Sequence, residues 1–205
     1  MRSLFACGSR PWPALALVAA STLLLLACRE SPEALIASAR AYEAKGDHKG
    51  AIIQLRNALQ QNPADGEVRL LLGRALLQAG DPVSAQRELR KALEYGQSAE
   101  VVLPPLAQAM LEQGEAAKLV AEFGDRKLTD IDAEASLRSS VGHAQLQLQK
   151  FGDAAASFSA ATALKPDYLP ARLGVARLMA AANRIDEANR LIDAIVAAHP
   201  KAAEA

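Results

Sequence analysis

Apolar residues recur at spacings of three and four through most of the chain, as in helices with one buried stripe. No segment alternates apolar and polar residues with the period of two that a half-buried strand requires. The pattern is punctuated by Gly-Asp turns, as at Gly46-Asp47 and Gly80-Asp81, and by prolines at Pro63, Pro166 and Pro200. Proline ends a helix because it lacks the backbone donor and clashes with the preceding turn. This punctuation predicts antiparallel helix pairs at 33–45 with 48–61, 66–79 with 82–95, 99–113 with 115–123, 133–149 with 151–164, and 168–182 with 185–198.

The start of the chain reads differently. Arg2 and Arg10, with no acid among them, precede a 14-residue apolar run from Ala14 to Ala27, closed by Cys28-Arg29-Glu30. That charge order marks a secretory leader, and the run falls short of the roughly 20 apolar residues a membrane-spanning helix needs. Leu25-Leu26-Ala27-Cys28 resembles the bacterial lipobox. The resemblance implies a leader at 1–27, lipidation of the Cys28 thiol, a lipidated tether at 28–31 and a folded domain at 32–205. The alternative is an ordinary cleaved signal with a cysteine at its end. Arg29 is not the aspartate that resembles the inner-membrane retention signal, so the expected address is the periplasmic face of the outer membrane, with the inner membrane as the other possibility.

The folded part repeats itself at a period of 34: Arg40 to Asp47 aligns without a gap on Arg74 to Asp81, and Ala51, Leu55 and Ala58 align on Ala85, Leu89 and Ala92. The same offset relates Ala154 to Ala188 and Phe158 to Ile192, with one extra residue in the third unit. Small residues at Gly73, Ala85, Gly142 and Ala154 let the two helices of a unit approach closely, and Ala58, Ala92 and Ala161 admit the next unit. These positions resemble the tetratricopeptide repeat. The resemblance implies an all-α, right-handed alpha-alpha solenoid of about five units at 32–65, 66–99, 100–134, 135–168 and 169–205. The third unit departs, with Leu119 in place of the crossing alanine and Phe123-Gly124-Asp125 cutting its second helix short.

Composition narrows the functional classes. Twenty-three basic and 23 acidic residues cancel, and removing Arg2 and Arg10 with the leader leaves 21 against 23, so the basic footprint of a nucleic-acid binder is missing. Two cysteines and three histidines, far apart, offer no zinc-site spacing. No nucleophile elbow, phosphate-cradling glycine loop or His-Glu-x-x-His is present, so neither catalysis, cofactor nor metal is expected. His48 falls at a turn, His143 on a first helix and His199 at the last helix end. Aromatic residues make up 4% of the chain, too few for sugar-stacking platforms.

What remains is a surface. One position of the first helix in each unit recurs as Arg40, Arg74, Gln108, His143 and Arg177. Guanidinium forks match carboxylate geometry, so this stripe is a candidate groove for an acidic peptide or protein partner. The opposing reading is a solvated helix face neutralised by Glu43, Glu67 and Glu112. The lysine and asparagine pattern by which some tetratricopeptide domains clamp a C-terminal carboxylate is absent: Ile36, Leu70, Pro104, Ser139 and Leu173 stand there.

The phrases Ala41 to Asp47, Ala51 to Gln60, Arg69 to Leu76, Val101 to Ala107 and Ala171 to Leu178, behind a lipobox, resemble the tetratricopeptide lipoproteins of the PEP-CTERM system, the PrsT family. That resemblance implies a scaffold for envelope proteins in a system linked to exopolysaccharide production and to sorting of proteins with a PEP-type C-terminal signal. The alternative is a lipoprotein of pilus or secretin assembly. The last predicted helix, 185–198, carries Ile185, Leu191, Ile192, Ile195 and Val196 with no following unit to cover them, which predicts self-association or a longer array.

Overall fold

The computed structural model describes residues 30–198; the leader, Cys28 and His199 lie outside the described residues. Ten helices and no strand make up that part. They are α1 (Pro32–Glu43), α2 (His48–Gln61), α3 (Gly66–Gln78), α4 (Pro82–Glu94), α5 (Ala99–Glu112), α6 (Ala116–Phe123), α7 (Ile131–Gln147), α8 (Phe151–Leu164), α9 (Leu169–Ala181) and α10 (Ile185–Ala198). Odd-numbered helices are the first (A) and even-numbered helices the second (B) of each antiparallel pair. Each B helix packs on its own A helix, and in the first four units also on the A helix that follows. This is an α–α solenoid, and its helix limits lie within two residues of those expected from the pattern.

The helix starts have a common cause. Asp47, Asp65, Asp81 and Asp130 each accept a hydrogen bond from the backbone N–H three residues on, at 2.8 to 3.0 Å, and Ser31 does the same at 3.2 Å. The A–B turns require a left-handed residue, and Gly46, Gly80 and Gly114 provide it with φ of 72°, 77° and 74°. In the last two units the same place is filled by Gln149 and Asn183, both at φ 59°, so the turn persists without glycine.

The small residues sit where the repeat requires them. Ala51, Ala85, Ala154, Ala58, Ala92 and Ala161 are buried. A Cβ on Gly73 would meet the Leu89 side chain at 2.6 Å, and one on Gly142 would meet the Phe158 ring at 2.8 Å. Leu119 replaces the crossing alanine of the third unit and is fully buried.

Two arginines that periodicity did not single out fasten the frame. Arg69 on α3 donates to Glu88 on α4 at 2.5 Å and to the Pro63 carbonyl, and its guanidinium lies 5.1 Å from the Tyr95 ring centre. Both members of the pair are buried. Arg138 on α7 donates to the carbonyls of Phe123, Gly124 and Arg126, closing the end of the short helix α6, and pairs with Glu134. Glu134 in turn accepts from the Leu128 N–H, and Glu100 accepts from the N–H groups of Thr129 and Asp130. The irregular stretch 124–130 is therefore tied on both sides.

Candidate functional site

The candidate stripe occupies one register of the A helices: Arg40 on α1, Arg74 on α3, Gln108 on α5, His143 on α7 and Arg177 on α9. Three of the five reach across to the next A helix, each to a residue 27 positions on. Arg40 Nη2 donates to Glu67 Oε1 at 3.0 Å, Arg74 Nη2 to the Val101 carbonyl at 3.1 Å, and His143 Nε2 contacts the Pro170 carbonyl at 3.1 Å. The Val101 carbonyl has a local reason to accept. The residue four positions on is Pro105, which has no N–H, so α5 cannot bond that carbonyl internally. The stripe thus ties neighbouring units together, a role that the recurrence of charge at one register did not reveal. For two of the ties a mark stands in the sequence, an acid at Glu67 and a proline four residues after Val101; Pro170, followed four residues on by Gly174, carries none.

The remaining two members behave differently. Gln108 Nε2 donates within its own helix to Glu112 Oε1 at 2.9 Å. Arg177 is exposed and has no side-chain hydrogen bond or ion pair among the described residues. Of the acids expected to neutralise the stripe, Glu67 pairs with Arg40, Glu112 takes Gln108, and Glu43 faces His48 at 3.2 Å instead.

Gln108, His143 and Arg177 come together in a cleft of about 410 Å³ that crosses α5, α7 and α9. Leu111 and Leu146 supply its apolar wall, and Glu112 and Gln147 also line it. Arg40 and Arg74, on α1 and α3, are not part of it. The His143 ring stands edge-on to Phe158, with ring centres 4.9 Å apart. Burial pushes the His143 pKa below the ordinary 6.5, the contact with the Pro170 carbonyl opposes this, and the nearby Arg177 charge adds to the lowering. A neutral imidazole donating from Nε2 to Pro170 fits that environment. The cleft therefore offers an unpaired guanidinium, amide donors and acceptors, two leucines, and one carboxylate, Glu112, which Gln108 already engages. Such a set suits an extended peptide with a carboxylate beside an aliphatic side chain.

A larger cleft of about 610 Å³ runs between α8 and α9, lined by Phe151, Ala155, Val175, Leu178 and Met179 among others. Arg184 is the one charged residue on its wall, and Glu187 already engages that guanidinium. Its other polar lining residues are Ser159 and Thr162, and the Thr162 hydroxyl donates to the carbonyls of Phe158 and Ser159 on its own helix.

Comparison with known proteins agrees with this architecture. Residues 42–103 and 145–205 match the tetratricopeptide repeat family. Cellulose synthase operon protein C of Xanthomonas axonopodis pv. citri (strain 306) is 32% identical over 171 residues, 79% of this chain. The chain spans 11% of the length of that relative. Among solved structures, TTC0263, a thermophilic tetratricopeptide protein of Thermus thermophilus, superposes with a TM-score of 0.65 at 20% identity, covering 83% of this chain and 93% of that one. YrrB, described as a tetratricopeptide protein with an unusual peptide-binding site, superposes with a TM-score of 0.58 at 17% identity, covering 87% and 92%. The matched segments, the paired helices and the small residues at their crossings have one explanation: the chain belongs to the tetratricopeptide repeat family, whose helical arrays serve as scaffolds for protein–protein interaction.

Proposed function

We propose that this protein is a non-catalytic scaffold lipoprotein of the bacterial envelope, tethered through Cys28 to the periplasmic face of the outer membrane, and that it holds partner proteins through the cleft on α5, α7 and α9. The observation that carries the reading is the cleft itself, where Arg177 stands unpaired beside Gln108, His143 and a leucine wall. Arg177 is exposed, so its guanidinium can meet a carboxylate in fork geometry without first losing its hydration. The partners are envelope proteins presenting an acidic, extended segment.

The setting we propose is exopolysaccharide-associated sorting of PEP-CTERM proteins. The lipobox and the sequence phrases shared with PrsT-type lipoproteins support it. The relative named for a cellulose synthase operon supports the polysaccharide side of it, at 32% identity over a small share of that protein. Capture of partners from detergent-solubilised envelopes by wild-type and Arg177→Glu chains tests the cleft. Reversing the charge is expected to lower recovery of the partners about tenfold, with the helical circular dichroism signal unchanged. Equal recovery by a folded Arg177→Glu chain would reassign Arg177 to the solvated face. A partner set without polysaccharide-synthesis or sorting components would remove the proposed setting while leaving the scaffold reading in place.

A further inference from the structure

The larger cleft, between α8 and α9, opens where two alanines replace side chains that fill the same place in other joints of the array. In the joint between the second and third units, Gln113 Nε2 donates to Gln86 Oε1 and to the Pro82 carbonyl, each at 3.1 Å. Gln86 holds Glu115 in turn, and Arg90 holds Glu122, so long side chains close that groove. The registers of Gln86 and Gln113 carry Ile52 with Ala79 in the first joint and Val120 with Leu148 in the third. Ile52 is buried, and Val120 packs on the core. In the fourth joint they carry Ala155 and Ala182, and both line the cleft of about 610 Å³. Ser159 stands at the register of Arg90, so that filler is missing as well.

A missing helix does not explain the opening. The side-chain partners of Gln86, Arg90 and Gln113 all belong to the second and third units. Their counterparts in the fourth joint, α7 to α10, are all described. Arg90 ties α4 to α6, whereas no side-chain hydrogen bond or ion pair joins α8 to α10 among the described residues.

The walls select an occupant. Phe151, Ala155, Ser159 and Thr162 form one stripe of α8, about 16 Å long at the helical rise. Val175, Leu178, Met179 and Ala182 form the facing stripe of α9, on the side away from Arg177. The backbone groups of both helices bond within their own helix, and so does the Thr162 hydroxyl. An extended peptide would bring a donor and an acceptor per residue to a groove with only Ser159 and Arg184 to answer them. A saturated chain brings neither, and gains from each methylene it covers. Arg184, just past the end of α9, supplies a charge at one end. Glu187 engages its Nε and Nη2, which leaves Nη1 for a carboxylate oxygen. With Glu187 beside it and water around it, that contact is the smaller contribution and the chain the larger.

We propose that the cleft between α8 and α9 binds a single-chain fatty acid, its aliphatic tail along Ala155, Leu178 and Met179 and its carboxylate at Arg184. This goes beyond the scaffold reading and does not depend on the cleft that holds Arg177.

The sequence provides its own reporter. Its three methionines are Met1 in the leader, Met110 fully buried in α5, and Met179 on the cleft wall. The full chain, labelled with carbon-13 at the methionine methyl groups, is held in CHAPS, a steroid-based detergent with no linear alkyl chain to compete. Decanoic acid, added below its micelle concentration, is expected to shift the Met179 resonance and leave Met110 in place. Each methylene added from octanoic to dodecanoic acid should tighten binding about two- to fourfold. Arg184→Gln should weaken decanoic acid about two- to fivefold and leave decan-1-ol unchanged. Ala155→Ile with Ala182→Leu restores the side chains of Ile52 and Leu148, and should abolish the Met179 response. Both alanines are exposed, circular dichroism checks the fold, and the chain-length series needs no variant. A Met179 resonance indifferent to decanoic acid overturns the proposal. So does a shift that Met110 shares, an affinity that does not rise with chain length, or a folded Ala155→Ile, Ala182→Leu chain that binds like wild type. Unchanged decanoic acid binding by Arg184→Gln overturns the fatty acid in favour of an uncharged occupant, such as an aliphatic side chain of a partner.

Discussion

The Phe158 ring lies so close to Gly174 that a Cβ on that glycine would meet it at 2.3 Å. The ring has nowhere to retreat, because Gly142 on its own unit's first helix would place a Cβ 2.8 Å away on another side. One aromatic ring thus seats α8 on both α7 and α9, and His143 touches the same ring from the cleft. Gly174→Ala should destabilise the protein. The gain in helix propensity, about 1 kcal/mol, is outweighed by an overpacking cost of about 1–3 kcal/mol at a contact this tight. Phe158→Ala should cost about 3–5 kcal/mol. Urea denaturation measures both. A Gly174→Ala chain as stable as wild type would mean that α9 shifts on α8 without cost.

The buried pair of Arg69 and Glu88 predicts an asymmetry. Glu88→Ala leaves a buried guanidinium with the Pro63 carbonyl as its remaining hydrogen-bond partner, and should cost about 3–5 kcal/mol. Replacing both, as Arg69→Met with Glu88→Leu, should recover most of that loss, since charges taken out of water give little net gain even when well paired. The comparison is made by denaturation of the two variants side by side. A double variant as unstable as Glu88→Ala would show that the arginine's contacts with Pro63 and Tyr95 dominate.

The parts of this structure that were legible in the sequence are those that recur. Ala51, Ala85 and Ala154 announce the helix crossings, and Gly46, Gly80 and Gly114 the turns, because each occupies a place where a larger or differently shaped residue does not fit. Gln149 and Asn183 fill the same turn without glycine, so that signal fades in the last two units. Singular contacts were not legible. Arg69 pairs with Glu88, 19 residues away, and Arg138 reaches carbonyls 12 to 15 residues back; neither separation belongs to the repeat. The candidate stripe was legible as a line of residues. Its division into three ties between units and one unpaired cation was not, because two of the three acceptors are backbone carbonyls, and which carbonyl is within reach is set by how neighbouring helices pack.

The lipobox makes a prediction independent of the helical part. If Cys28 carries the lipid, the mature chain begins there and its N-terminal peptide is heavier than its residues by the mass of the acyl groups. Each buried methylene contributes about 0.8 kcal/mol, so several acyl chains hold the protein on a bilayer. Cys28→Ala is expected to block lipidation and processing at this site. A wild-type chain whose mature N-terminus is unmodified, or begins elsewhere, would remove the tether from the functional proposal.

His143 predicts a pH dependence in the same cleft. Its pKa lies below 6.5 in the folded protein, chiefly through burial and in part through the Arg177 charge. The unfolded chain therefore takes up this proton first as the pH falls. The histidine's contribution to stability is complete above about 6.5 and declines below it. It levels off once the pH has passed the lowered folded value. Urea denaturation across that window should show the decline in wild type and its loss in His143→Gln. The proton resonances of the ring, followed by NMR, should titrate with a midpoint below 6.5 in wild type and higher in Arg177→Gln, though not fully restored, because burial is the larger cause. A bound carboxylate reverses the sign. It favours the imidazolium, so an acidic peptide in the cleft should raise the midpoint and bind more tightly as the pH falls through it. A midpoint indifferent to a saturating acidic peptide would place the peptide elsewhere on the array.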